Sequence, residues 1–213
     1  MLKKIFYWGA KGITLEMHDT AKNNFKVIGL FDRDKSLKTP FKGLKIIHEK
    51  SELEKWLKKN KKNCYFYVNI GSNNKTRVKI SNYLKKKGLK AASIIHDNSY
   101  VSKNTLLGEG IAIFAKTIVQ PKSKIGNYVI LNANASISHE CKIKEGVHIA
   151  PGAILCGNVV VGKYSFIGAG AILLPNIKIG ENSIVGAGSV VTKDVPKNCI
   201  TYGNPSKIKK INN

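Results

Sequence analysis

Residues 143–173 read IKEGVHIAPGAILCGNVVVGKYSFIGAGAIL, and within them Ile143, Ile149, Leu155, Val161, Ile167 and Leu173 stand six residues apart. The spacing continues outward in both directions, from Val101 to Val191, through sixteen consecutive aliphatic positions. Four residues after the aliphatic comes a mostly small residue, as at Thr117, Ser123, Ala135, Cys141, Ala153, Ser165 and Ala171. Gly follows the aliphatic directly at Gly108, Gly126, Gly162, Gly168, Gly180 and Gly186, where it is expected to ease a corner. A large and a small inward residue per six is the signature of a parallel β-helix. Three hexapeptides per triangular coil give roughly five coils, each buried only against its neighbours.

Residues 1–97 carry no such period. They alternate strands (LKKIFYWG, FKVIGLFD, CYFYVNIG, LKAASII) with helices expected near Ile13–Asn23, over SELEKWLKK and near Thr76–Lys87. That alternation predicts a small α/β domain with a Rossmann-like parallel sheet. The expected organisation is 1–97 for this domain, 98–196 for the β-helix and 197–213 for a C-terminal tail.

Charge is the other strong signal. Lys plus Arg minus Asp plus Glu is 36 − 13 = +23, split as 23 − 8 = +15 over residues 1–97 and 13 − 5 = +8 beyond. Polyanionic partners are therefore favoured. Only Arg33 and Arg77 are arginines, which argues against a dedicated nucleic-acid binder, because bidentate reading of phosphates and bases favours Arg. Cys64, Cys141, Cys156 and Cys199 form no CxxC pair, so a zinc finger or disulfide scaffold is excluded and a reducing cytoplasm fits. MLKKIFYWGAKG reads as a first strand, and no run of 18 apolar residues predicts a membrane span.

Two strand ends could hold a nucleotide. Gly9-Ala10-Lys11-Gly12 opens a helix after the first strand, and Asp32 ends the second. Helix N-terminal amides hold phosphates, and an acid on the next strand takes ribose or sugar hydroxyls; an ordinary strand-to-helix turn is the alternative. The segment from Gly71 and Ser72 to Arg77 ends a further strand at the same sheet edge.

In the β-helix, His139 and Glu140 follow the inward Ile137, so His139 projects outward, either as a base steadied by a carboxylate or as a solvated surface residue. His148 lies nine residues on, half of an 18-residue coil, so the two histidines face different sides of one chain. They would share a site most easily between chains of a closed oligomer. A zinc site as in γ-class carbonic anhydrases, whose repeat is similar, needs three histidines, and only two of the five lie in the repeats. Cys199–Lys207 reads as a tail folded over the last coil.

The GAxG turn, the IGxxxxxR segment, SHECKI, GVHIAPGAILCGNVVVG and the tail GNPSK together make the chain resemble hexapeptide-repeat acyltransferases of the sialic-acid O-acetyltransferase-like family. Within that family it is similar to bacterial N-acetyltransferases of nucleotide-linked 4-amino-sugars, the bacillosamine-pathway type. The resemblance implies a left-handed helix, a homotrimer, acetyl-CoA as cosubstrate without metal, and a sugar nucleotide held by the N-terminal domain. It implies His139 as general base, Glu140 as its partner, Asn132 placing the acceptor, His148 near the thioester and the Gly157 amide steadying the acyl oxygen. Gly186, Ala187, Gly188, Ser206 and Lys207 would line the coenzyme, while Gly9, Gly12, Asp32, Gly71, Ser72 and Arg77 would meet the nucleotide. The chain departs from its relatives at Ile13-Thr14, where a His-Gly pair is usual, and by one extra residue between Gly71 and Arg77. Two rival readings stay open: acetylation of a sugar hydroxyl, and a non-catalytic sugar-nucleotide-binding trimer.

Overall fold

The computed structural model describes residues 2–71 and 73–212. It divides into two compact units between Ile94 and Ile95.

In the first unit, β1 (Lys3–Trp8), α1 (Ile13–Ala21), β2 (Phe25–Phe31), β3 (Ile46–Ile47), α2 (Lys50–Asn60), β4 (Cys64–Val68), α3 (Asn74–Lys86) and β5 (Lys90–Ala91) follow in order. The strands form one sheet in the order β3-β2-β1-β4-β5, parallel throughout. Near-continuous apolar runs such as IFYW and CYFYV suit strands covered on both faces. On one face Phe6, Phe66 and Val68 pack with Leu53, Leu57 and Leu84 of the helices. Strand order reverses between β1 and β4, which opens a crevice at their C-terminal ends.

The second unit is a left-handed parallel β-helix of two-residue strands, each paired with the strand 18 residues on. One face stacks the strands at Tyr100, Ile118, Ser136, Ile154, Ile172 and Val190. A second stacks those at Leu106, Lys124, Lys142, Val160 and Lys178. The third runs through Ala112, Ile130, His148, Phe166 and Ile184. The periodic aliphatics make the core, with Ile113, Leu131, Ile149 and Val185 fully buried. Inward hydroxyls are satisfied by corner carbonyls: Thr117 Oγ1 donates to Asn132 O at 2.9 Å, and Ser123 Oγ to Ser138 O at 2.9 Å.

Three expectations change. The segment LKAASII splits: Lys90–Ala91 joins the first sheet, whereas Ile94–Ile95 begins the third face of the β-helix, so the boundary lies earlier than residue 97. The C-terminal segment is more than a tail, because Cys199–Tyr202 continues that face parallel to Ile184–Val185 and Lys207–Ile211 returns antiparallel. Finally, the glycines after the aliphatics do not supply the corner's left-handed backbone. That conformation falls three residues after the aliphatic, on Lys116 (φ 58°), Asn134 (φ 59°) and Glu140 (φ 63°) among others. The glycines are needed for close approach instead: a Cβ on Gly162 would stand 2.5 Å from Glu181 N of the next coil.

Candidate active site

His139 and Gly157 are 18 residues apart and therefore occupy the same corner on successive coils. The His139 ring lies directly on Gly157, where an added Cβ would meet Cε1 at 2.6 Å, so the ring sits there only because position 157 has no side chain. His139 Nδ1 is 3.1 Å from Glu140 Oε2. A carboxylate accepts, so Nδ1 carries the proton and Nε2 keeps its lone pair. Lys122 Nζ stands 3.9 Å from the other carboxylate oxygen. Asn158 N donates to His139 O at 2.9 Å and fixes the backbone, whereas the Gly157 N–H donates to no group among the described residues. An exposed imidazole with a free Nε2 beside an unused amide can take a proton and can stabilise an oxyanion.

The other coenzyme candidates stand elsewhere on the prism. Asn132 and Gly186 are 54 residues apart, three coils, and so share a corner at the opposite edge of the Tyr100 face; Ala187 and Gly188 are exposed beside Gly186. Asn132 Oδ1 accepts from Ala133 N at 2.8 Å. Ser206 is pinned by Thr201 Oγ1 at 2.5 Å and by its own N–H to Val190 O at 2.8 Å, while Lys207 is exposed. His148 lies on the third face, 7% exposed, edge-on to Phe166 with centroids 5.1 Å apart. One chain therefore does not bring His139, Asn132 and His148 together.

The first unit has its own cavity, of about 870 Å³, at the crevice between β1 and β4. Trp8 and Phe31, 4.4 Å apart, form an aromatic wall, and Lys11, Arg33, Lys50 and Lys79 bring positive charge. Lys11 pairs with Asp34 at 3.1 Å, and hydrogen bonds from Ser36 and Lys11 hold that carboxyl down to about 2. Tyr83 donates to Glu54 at 2.6 Å; burial and that acceptor push its hydroxyl up to about 12.

The glycine turn behaves differently from expectation. Gly9 (φ 103°) does need to be glycine, since a Cβ would press within 3.0 Å of Asn69 O. Its amides, however, are already used: Gly9 N donates to Phe31 O at 2.7 Å and Ala10 N to Asp32 Oδ2 at 2.9 Å. The turn is thus locked to β2 through Asp32, and the anion-attracting groups of the cavity are side-chain cations. Gly12 has open space around it and right-handed backbone, so nothing there requires glycine. Gly71 lines the cavity, and Ser72 lies outside the described residues. Arg77 is only 2% exposed and does not line the cavity. Its guanidinium binds Ile70 O at 2.7 Å and Asn74 Oδ1 at 2.8 Å, with burial drawing its pKa down to about 10. It braces the loop from inside.

Thr14, one of the two departures in the turn, is fully buried. It donates to Gly9 O at 2.9 Å and accepts from Asn69 Nδ2 at 3.2 Å, clasping β1 to β4. The sequence reading missed Asn69 and the α3 residues Thr76, Lys79, Ile80 and Tyr83 on the cavity wall. Their i, i+3, i+4, i+7 spacing on one helix face was the available signal. Among the described residues no group of three or more His, Cys, Asp or Glu could hold a metal, and no helix is long and apolar enough to cross a membrane.

Comparison with known proteins matches residues 4–84 to the PglD N-terminal domain, and residues 122–157 and 158–193 to the bacterial transferase hexapeptide repeat. The chain is a hexapeptide-repeat transferase with a PglD-type N-terminal domain. This transferase is 28% identical to a histidine-to-alanine variant of GDP-perosamine N-acetyltransferase from Caulobacter crescentus, solved in complex with CoA and GDP-perosamine. The match covers 99% of this chain and 98% of that one, with a TM-score of 0.90. The acetyltransferase domain of PglB from Neisseria gonorrhoeae in complex with acetyl coenzyme A is 29% identical, covering 98% and 100%, with a TM-score of 0.87. GDP-perosamine N-acetyltransferase of Escherichia coli is 35% identical over 97 residues, which span 46% of this transferase and 43% of that relative.

Proposed function

We propose that the chain transfers an acetyl group from acetyl-CoA to the amino group of a nucleotide-linked 4-amino-4,6-dideoxy-sugar, as a cytoplasmic homotrimer. The observation that carries this reading is the His139–Glu140 pair lying on Gly157 beside an unused amide.

Acetyl-CoA supplies the activated thioester carbonyl when bound. Glu140 holds the Nδ1 proton and so fixes the tautomer. His139 Nε2 takes the proton that the attacking amine must shed, a contribution of about 10² to 10⁴ in rate. The Gly157 N–H donates to the oxygen on which charge develops, an interaction typically worth roughly 3 kcal/mol. Cys141 takes no part, because it is fully buried and burial pushes its thiol up to about 11.

Assembly supplies what one chain lacks. The Tyr100 face presents Tyr100, Ile118 and Ile154 at 58%, 41% and 41% exposure, an apolar ladder suited to burial against another copy. Rotation of copies about an axis parallel to the prism sets the His139 edge of one chain beside the Asn132 and Gly186–Gly188 edge of the next. Both edges border this one face, which supports an interfacial coenzyme groove. In the first unit, the aromatic wall and four cations suit a nucleobase and its diphosphate.

The test is thiol release from acetyl-CoA in the presence of UDP-, GDP- and dTDP-linked sugars, with GDP-perosamine first because relatives are named for it. Release with an amino-sugar alone is expected. Release with a hydroxy-sugar would move the reading to O-acetylation, and binding without release to a non-catalytic protein.

A further inference from the structure

The first unit has a second concavity at the other ends of its strands. A groove of about 590 Å³ is lined by Lys3 and Lys4 at the start of β1, Lys90 at the start of β5, and Lys59 and Lys62 around the turn into β4. No acidic residue lines it. Elsewhere in this unit lysines find acids, as Lys11 does Asp34, Lys22 Asp19, Lys35 Glu49 and Lys87 Glu54. None of the five groove lysines has a carboxylate partner among the described residues. Register adds to the crowding, because Lys4 stands opposite Lys26 on β2, and like charges directly across a sheet are destabilising.

Helix polarity explains only part of this arrangement. Lys59 lies in the last turn of α2, where a cation complements the helix dipole. Lys3, Lys4 and Lys90 are on strands, which offer no such compensation. Five like charges around one groove gain most from a ligand that brings several negative charges at once. Their chemistry is that of compact ammonium donors, suited to phosphate oxygens. Tyr65, under Lys3 Nζ at 5.5 Å, gives the groove an aromatic side. Its volume is that of a small-molecule site. Leu2 is the one exposed aliphatic on its rim, short of the apolar anchor that a bilayer surface would engage.

We infer that this groove is a second anion site, separate from the Trp8–Asn69 cavity, and that it takes a soluble molecule bearing several clustered phosphates. The probe is inorganic tripolyphosphate titrated calorimetrically into the full chain. Binding is expected to weaken about a hundredfold in Lys3→Gln/Lys62→Gln, about tenfold per charged contact removed. It is expected to persist in Lys50→Gln/Lys79→Gln, which strips the cavity instead, and in Lys38→Gln/Lys42→Gln, an exposed pair remote from the groove in sequence. Lys59→Gln/Lys90→Gln gives the same answer should the first pair fail to fold. Failure of tripolyphosphate to bind overturns the inference, as does an equal loss in the Lys38/Lys42 or Lys50/Lys79 pair. Retention on phosphatidylglycerol vesicles without any response to tripolyphosphate overturns it in favour of a lipid surface.

Discussion

The two units are built by opposite rules. In the β-helix every contact that matters joins a residue to one a fixed number of places away: Gly157 to His139, Gly162 to Glu181, Thr117 to Asn132. In the first unit the decisive contacts span irregular distances, 55 residues from Asn69 to Thr14 and 22 from Ala10 to Asp32. Periodic architecture makes the consequence of a substitution readable from its phase in the repeat. A doubly wound sheet does not, because its contacts depend on which strands become neighbours.

That contrast can be broken or sharpened by experiment. The largest effect is expected from His139→Ala, with turnover falling about 10² to 10⁴. Melting temperature and coenzyme binding should hold, because the ring is an exposed corner residue; undiminished turnover in a steady-state assay would remove His139 as the base.

Two glycines in different phases come next. Gly162→Ala drives a Cβ into the next coil's backbone and should cost about 1–3 kcal/mol of stability by denaturant unfolding. Gly157→Ala instead meets a movable ring, so it should melt near the parent yet lose about tenfold or more in turnover through misplacement of His139. Equal behaviour of the two would end the argument from phase.

Thr14→Val keeps the shape of the clasp but leaves Gly9 O and Asn69 Nδ2 short of a partner, a cost of about 1–3 kcal/mol. Calorimetry should place the loss in the first unit, with nucleotide protection weakened and coenzyme protection unchanged. The smallest effect is chemical. Desolvation pushes the thiols of Cys64 and Cys141 up to about 11, so the thiolate is scarce in the folded chain at mildly alkaline pH. Maleimide labelling read by mass spectrometry should reach the half-buried Cys156 and Cys199 first, and the other two only on unfolding.

The β-helix and its core were legible in the sequence because burial recurs every six residues and a coil is three such units. The same arithmetic places His139 under Gly157 and Asn132 in line with Gly186. Two glycine readings failed for one reason: a glycine in a sequence signals either a left-handed backbone or a close neighbour, and only coordinates distinguish them. The glycines after the aliphatics make room for the next coil, and Gly9 makes room for Asn69. Arg77 misled similarly, since a lone arginine near a strand end looks the same in sequence whether it faces a ligand or braces its own loop.

What the sequence by itself determined was the class of each unit, the phase of every inward residue in the prism, and the pairing of a histidine with the acid beside it. These follow from local periodicity, which needs no knowledge of distant partners. Tertiary structure alone decided that Asp32 and Phe31 consume the amides of the glycine turn, that Thr14 and Asn69 clasp β1 to β4, and that five lysines share one groove. Each of those depends on strands far apart in the chain becoming neighbours, and no residue carries in its own identity the name of the partner that folding brings to it.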